Sequence, residues 1–179
     1  MNMIKLAFIC LLAIALSACQ TTYNPETDAS PSYNFAKVKT FAIVGDEDNK
    51  NILLSDIDRE RINSAIVQSL TNAGKRQVDE KDADVLIAYF VYTKDKTRVY
   101  STGVTATYCY HCIYRPAPTV HVRNYTEGTL IVDMIDRETD KSIWRSSLSK
   151  SVKKTDNAQE KQQKIQAIID SMIKQLPQA

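Results

Sequence analysis

The period at which apolar residues recur changes several times along this chain, and the order of those changes restricts the fold more than any single motif. Residues 38–44 (VKTFAIV) are rich in β-branched side chains and end at Gly45 and an acidic stretch, which predicts a strand. Ile62, Ala65, Ile66, Ser69, Leu70 and Ala73 then recur at three- and four-residue spacing, one face of a helix. Ser55 with Asp58 three residues on suits its N-terminal cap, Asp56, Asp58 and Glu60 suit the positive end of its dipole, and Gly74 stands where a helix stops. Residues 83–93 (ADVLIAYFVYT) are apolar on both alternate sets, as in a central strand covered on two sides or facing a partner strand's long side chains. Residues 98–108, rich in Tyr, Thr and Val, predict another strand, and residues 127–137 and 141–152 two more, separated by Glu138, Thr139 and Asp140. Thr155 or Asp156, with Gln159 behind it, caps a last helix whose stripe is Ile165, Ile168, Ile169, Met172, Ile173 and Leu176, closed by Pro177. The order β-α-β-β-β-β-α predicts an α+β domain over residues 34–179, a mainly antiparallel sheet with two helices packed on one face. A chain of 179 residues, 44% apolar, suits one such core.

The hairpin fixes a register. If its loop centres on Thr139, Ile135 faces Ile143, Met134 faces Trp144 and Asp133 faces Arg145; a shift by one residue loses every match and reverses the faces. Asp133 and Arg145 are therefore expected to form a cross-strand ion pair of structural role, with Trp144 packing on the opposite face beside Met134. A carboxylate at Asp133 presented for binding is the alternative.

The start of the chain is of a different kind. Lys5 precedes an unbroken apolar run over residues 6–16, too short for a span, since a bilayer core of ~30 Å needs ~20 helical residues. The run ends in Leu16, Ser17, Ala18 and Cys19, which resembles the bacterial lipobox, in which the cysteine is acylated and cleavage falls just before it. Residues 1–18 are thus expected to be a lipoprotein signal peptide, and Cys19 the lipidation site, with two or more acyl chains sufficient for stable attachment. Gln20 and Thr21 follow, without the Asp that marks inner-membrane retention in sorted lipoproteins, so the periplasmic face of the outer membrane is the expected location. Residues 19–33 are polar, carry Pro25 and Pro31, show no hydrophobic period and read as a flexible tether reaching roughly 20 Å on average.

Several stretches resemble a family of bacterial lipoproteins known as domain of unknown function 4136. Residues 33–42 (YNFAKVKTFA) are similar to its opening strand, residues 61–66 with Leu70 and Gly74 to its first helix, and residues 83–89 to its second strand. The most specific likeness is in residues 125–136 (YTEGTLIVDMID), followed by Trp144 and Arg145. Lys75, where an aromatic often follows the glycine, and residues 98–123 depart from the pattern. The resemblance implies a fold and an envelope location and brings no activity with it.

Other features narrow the chemistry. Beyond Lys5, 22 Lys and Arg face 21 Asp and Glu, a balance without the clustered basic charge that nucleic acid requires. The four glycines are isolated, which excludes a Walker loop and a dinucleotide fingerprint. Cys109, Tyr110, His111 and Cys112 form the one constellation that could react. A redox C-x-x-C needs a helix behind it, and Pro116 and Pro118 deny one; a zinc set adding His111 and His121 crowds three ligands into four residues. As an exported pair, Cys109 and Cys112 are expected to close a local disulfide. Seven of nine tyrosines (Tyr89, Tyr92, Tyr100, Tyr108, Tyr110, Tyr114, Tyr125) fall mid-chain, as good strand residues or as a contact surface, while Lys150, Lys153 and Lys154 read as a solvated loop. The expectation is a non-enzymatic envelope-binding or envelope-maintenance module, without cofactor or metal, meeting the membrane through its lipid and an envelope protein, glycan or lipid through its sheet or Tyr-rich segment. The alternative is a small periplasmic redox or metal-handling protein centred on Cys109, His111 and Cys112.

Overall fold

A computed structural model describes residues 22–44, 54–102, 119–152 and 157–177. Among these, six strands form one sheet: β1 (Glu26–Ala29), β2 (Thr40–Ile43), β3 (Arg76–Gln77), β4 (Val85–Thr102), β5 (Thr119–Asp136) and β6 (Lys141–Ser151), in the order β1-β6-β5-β4-β2-β3. Helix α1 (Asp56–Asn72) and helix α2 (Ala158–Ile173) pack on one face, so the fold is α+β. The sheet is mixed. β1, β6, β5 and β4 are antiparallel neighbours, whereas β2 runs parallel to both β3 and β4, because a strand that returns through a crossover helix returns in the same direction.

Local chemistry sets the helix ends. Ser55 Oγ accepts from the Asp58 amide at 3.2 Å, and Gly74 (φ +79°) closes α1 while Gly74 and Lys75 donate to the carbonyls of Thr71 and Leu70. Asn157 caps α2, accepting from the Gln159 and Glu160 amides; the expected caps Thr155 and Asp156 lie outside the described residues. Ile62, Ala65, Ile66 and Leu70 of α1 and Ile169, Met172 and Ile173 of α2 bury against Phe41, Val85, Ile87, Val132, Met134 and Trp144, all from the same face of the sheet. Ser69 interrupts the apolar stripe for a reason: its hydroxyl lies 2.5 Å from Asp170 Oδ1, and Gln166 Nε2 donates to both, clasping the helices together. At the other end Asp58 accepts from Arg61 and Lys161, each at 2.8 Å, and these bonds hold its carboxyl below the usual range against the opposing push of burial. Ala73, read as part of the stripe, is the exposed C-cap.

Three expectations need correction. Residues 26–29, assigned to the tether, pair with β6 from Glu26 opposite Ser147 to Ala29 opposite Trp144, so the folded domain begins before residue 34. An edge strand gains its place from backbone bonds and needs no hydrophobic period, which is why the polar Glu-Thr-Asp-Ala hid it. The strands expected at 83–93 and 98–108 are one strand as far as Thr102, and its partner β5 begins at Thr119, eight residues before the expected start. The hairpin register holds only in part. Asp133 faces Arg145 and Met134 faces Trp144, but Ile135 faces Ser142, not Ile143. The turn has four residues rather than three: Asp136 Oδ1 accepts from the Thr139 amide and hydroxyl at 2.8 and 2.6 Å, and Asp140 is left-handed (φ 55°). A bulge after Met134 absorbs the extra residue, and Ile143 turns into the core beside Trp144.

Candidate functional site

Strand pleating sends alternate residues of β4, β5 and β6 to opposite faces. Val85, Ile87, Val132, Met134 and Trp144 point to the helices; Leu86, Ala88, Phe90, Tyr92, Ile131, Asp133, Ile135 and Arg145 take the other parity. No described helix or strand lies over that second face. The doubly apolar pattern of residues 83–93 therefore has one half packed on helices and one half on which no described helix packs. Phe90 is 39% and Tyr92 49% exposed, and Leu86, Ile131 and Ile135 are half-buried. Phe90 stands opposite Ile131, and Tyr92 opposite Thr129, in adjacent rows.

The next row crosses the sheet as Ala88, Asp133, Arg145 and Asp28. Arg145 donates to Asp133 through two parallel bonds, Nε to Oδ1 at 2.6 Å and Nη2 to Oδ2 at 2.7 Å. The side chain of Asp133 is 6% exposed and that of Arg145 58%, so the carboxylate is sunk and the guanidinium covers it. The Asp133 hydrogen bond raises the Arg145 pKa further, fixing a permanent cation on this face. Aromatic and aliphatic area beside one oriented guanidinium is the composition of a contact surface.

Beyond β6, which ends opposite Glu127, β4 and β5 continue as a two-stranded ribbon to Thr102 and Thr119. Here Tyr100 stacks on His121 (5.2 Å between centroids), and His121 Nε2 lies 3.0 Å from Thr102 Oγ1. The Arg98 guanidinium lies 5.7 Å from the Tyr125 ring centre, and Lys96 pairs with Glu127. Of the mid-chain tyrosines, Tyr92, Tyr100 and Tyr125 share the face opposite the helices, Tyr89 is half-buried on the helix side, and Tyr108, Tyr110 and Tyr114 lie outside the described residues. Cys19, Cys109, His111, Cys112, Lys153 and Lys154 also lie outside them. Lys150 is in β6, with Nζ 4.1 Å from the Tyr23 ring centre, not in a loop.

Two structural clips escaped the sequence reading. Asp84 Oδ2 accepts from the Lys39 and Thr40 amides, both at 2.8 Å, and the Asp84 amide donates back to Thr40 Oγ1, tying the starts of β2 and β4. Tyr33 donates to Asp136 at 2.9 Å; burial, then this bond, pushes the phenol up to about 12. An acid at the end of a β-branched strand, Asp84 before β4 and Asp136 closing β5, was the available signal, but the partners lie over forty residues away. A cavity of about 510 Å³ between the helix C-termini and Phe35 is bordered by Lys39, Lys75, Lys174 and Asp170. Lys75 lies half-buried there and donates to the Val38 carbonyl at 3.0 Å.

A sheet carrying two helices on one face and, among the described residues, none on its partly apolar second face defines a small two-layer α+β domain. Residues 25–178 match the family described as Domain of unknown function (DUF4136), and the chain belongs to that family. No curated protein matches it. Among solved structures it is similar to a PDZ domain protein from Parabacteroides distasonis (TM-score 0.56, 15% identity), covering 93% of this chain and 39% of that one. The chain thus spans about two fifths of that protein's length, and the likeness is one of fold. It is also similar to a DUF4136 family protein from Bacteroides thetaiotaomicron (TM-score 0.49, 16% identity, 87% of this chain and 96% of that one). A minor lipoprotein from Acinetobacter baumannii is a further neighbour (TM-score 0.36, 13% identity, 78% and 89% covered).

Proposed function

We propose that the protein is a non-catalytic lipoprotein, acylated at Cys19 and held at the periplasmic face of the outer membrane, whose sheet face opposite the two described helices binds another envelope component. The anchor rests on the lipobox residues Leu16, Ser17, Ala18 and Cys19. The observation that carries the binding role is the half-exposed set of Leu86, Phe90, Tyr92, Ile131 and Ile135, grouped on one face beside the Arg145 guanidinium. A single exposed apolar side chain needs no explanation, whereas aromatic and aliphatic neighbours on contiguous strands form a patch of the kind that partners cover. Arg145, already neutralised on one side by Asp133, keeps donors that an acceptor on the partner can take. A photo-reactive side chain at position 131, activated in intact cells, is expected to yield a discrete adduct with one envelope component. The adduct should vanish with Phe90→Ser and Tyr92→Ser while far-UV circular dichroism stays unchanged. Equal adducts in those variants would reject this face as the binding surface.

A further inference from the structure

We infer that the β4–β5 ribbon, residues 96–102 and 119–125, lies against the lipid surface of the membrane that carries the acyl chains of Cys19. The inference rests on the acylation proposed above and fixes how the domain stands on its anchor.

The argument begins with where the chain enters the sheet. β1 is antiparallel to β6 and meets it at Glu26 opposite Ser147, so residues before Glu26 head toward the end of β6 from which the ribbon projects. Tyr23 confirms the direction, its ring lying against Lys150, the residue opposite Gly128. From Tyr23 back to Cys19 there are four residues, a reach of at most about 14 Å even fully extended. The ribbon runs nine residues in that same direction from Thr93, opposite Gly128, to Thr102, about 30 Å at the rise of a strand. The sheet body runs the opposite way from Gly128 to Asp136, about 26 Å.

These lengths exclude the pose with the ribbon pointing away from the membrane, because the anchor would have to pass a body about 26 Å tall on a tether of about 14 Å. With the ribbon pointing toward the membrane, its tip reaches the surface at every tilt up to about 60° from the normal, even with the tether fully extended.

The ribbon's surface suits that environment. Val99 and Val122 are directly opposed and Val120 follows on the same face, at 62%, 62% and 60% exposure. Arg98 and Arg123 are directly opposed on the reverse face, with Tyr100 and Tyr125 beside them. Opposed like charges repel across a strand pair, and phosphate headgroups relieve that repulsion. Arginine side chains are long enough to reach headgroups while valines meet the acyl boundary, and Tyr favours the same interface. Among the described residues, the ribbon's two outer edges pair with no further strand, so its backbone needs headgroups and water and the ribbon rests in the interface without spanning.

Trp144, 1% exposed, is the chain's single tryptophan, which makes fluorescence the natural test. The full acylated chain, carrying Val122→Trp or, as a second position on the same face, Val99→Trp, is reconstituted in phosphatidylethanolamine–phosphatidylglycerol vesicles with brominated acyl chains. Lys141→Trp, exposed at the far end of the sheet, is the control. Expected are a blue shift and loss of emission for the two ribbon variants and neither for the control or the parent. If the chain floats with the vesicles but Val122→Trp emits like the control, the ribbon stands off the membrane and the inference fails while the anchor survives. A blue shift without quenching means that protein, a second copy or a partner, covers the ribbon, which also overturns it. A chain that neither incorporates palmitate nor floats removes the anchor and the inference with it.

Discussion

The Asp133–Arg145 pair offers a perturbation whose size can be worked from geometry. A fully exposed ion pair contributes roughly 0–1 kcal/mol, and breaking a fully buried one costs about 3–5 kcal/mol. Here the carboxylate is 6% exposed and the guanidinium 58%, so water reaches one partner and not the other. The two bonds, at 2.6 and 2.7 Å, are charge-assisted and parallel. An intermediate coupling of about 2 kcal/mol follows, between those limits. The single losses should be unequal. Arg145→Gln strips the cover and the donors from a sunken carboxylate, about 2–3 kcal/mol; Asp133→Asn leaves a guanidinium already in water, about 1 kcal/mol. Urea unfolding followed by far-UV circular dichroism and by Trp144 emission gives all four corners of the cycle, and unchanged slopes would show that only stability moved. Single losses that add to within about 0.5 kcal/mol, or a larger loss from Asp133→Asn than from Arg145→Gln, would refute the reasoning.

Four further outcomes are expected. Cys19→Ser should abolish palmitate labelling and leave the signal peptide uncleaved; normal labelling would end the lipoprotein reading. Native protein should have Cys109 and Cys112 two hydrogens lighter than the reduced form and no stoichiometric zinc by mass spectrometry; bound zinc, or a reduction potential near −120 mV rather than below about −300 mV, would favour the redox or metal alternative. Gly74→Ala adds a Cβ with nothing within 4 Å, so its cost is that of the left-handed backbone alone, about 1–2 kcal/mol in thermal unfolding, and a neutral result would contradict φ +79°. Tyr33 holds its proton up to about 12 against 10.0 for an ordinary phenol, so its stabilising share is intact below pH 10 and lost as pH rises through 12; ultraviolet titration should show one late tyrosinate, absent in Tyr33→Phe.

Local chemistry alone determined much of this protein. Stripe spacing located both helices, because burial on one face imposes the same period wherever the face ends up. Ser55 and Gly74 marked the limits of α1 through backbone preferences that need no distant partner. Chemical matching across the hairpin was enough to pair Asp133 with Arg145 and Met134 with Trp144. The tertiary structure decided whatever depends on residues far apart in the chain. β1 exists because β6 offers it an edge, and a polar tetrapeptide says nothing of that edge. The bulge at Ile143 follows from a turn held by the Asp136 side chain, whose conformation shifts the register by one residue. Which half of residues 83–93 is covered was equally undetermined, since an apolar side chain reads the same whether helices pack on it or nothing described does. The direction in which the chain enters the sheet, and so where the ribbon stands relative to Cys19, follows from strand pairing, a relation between residues over a hundred positions apart.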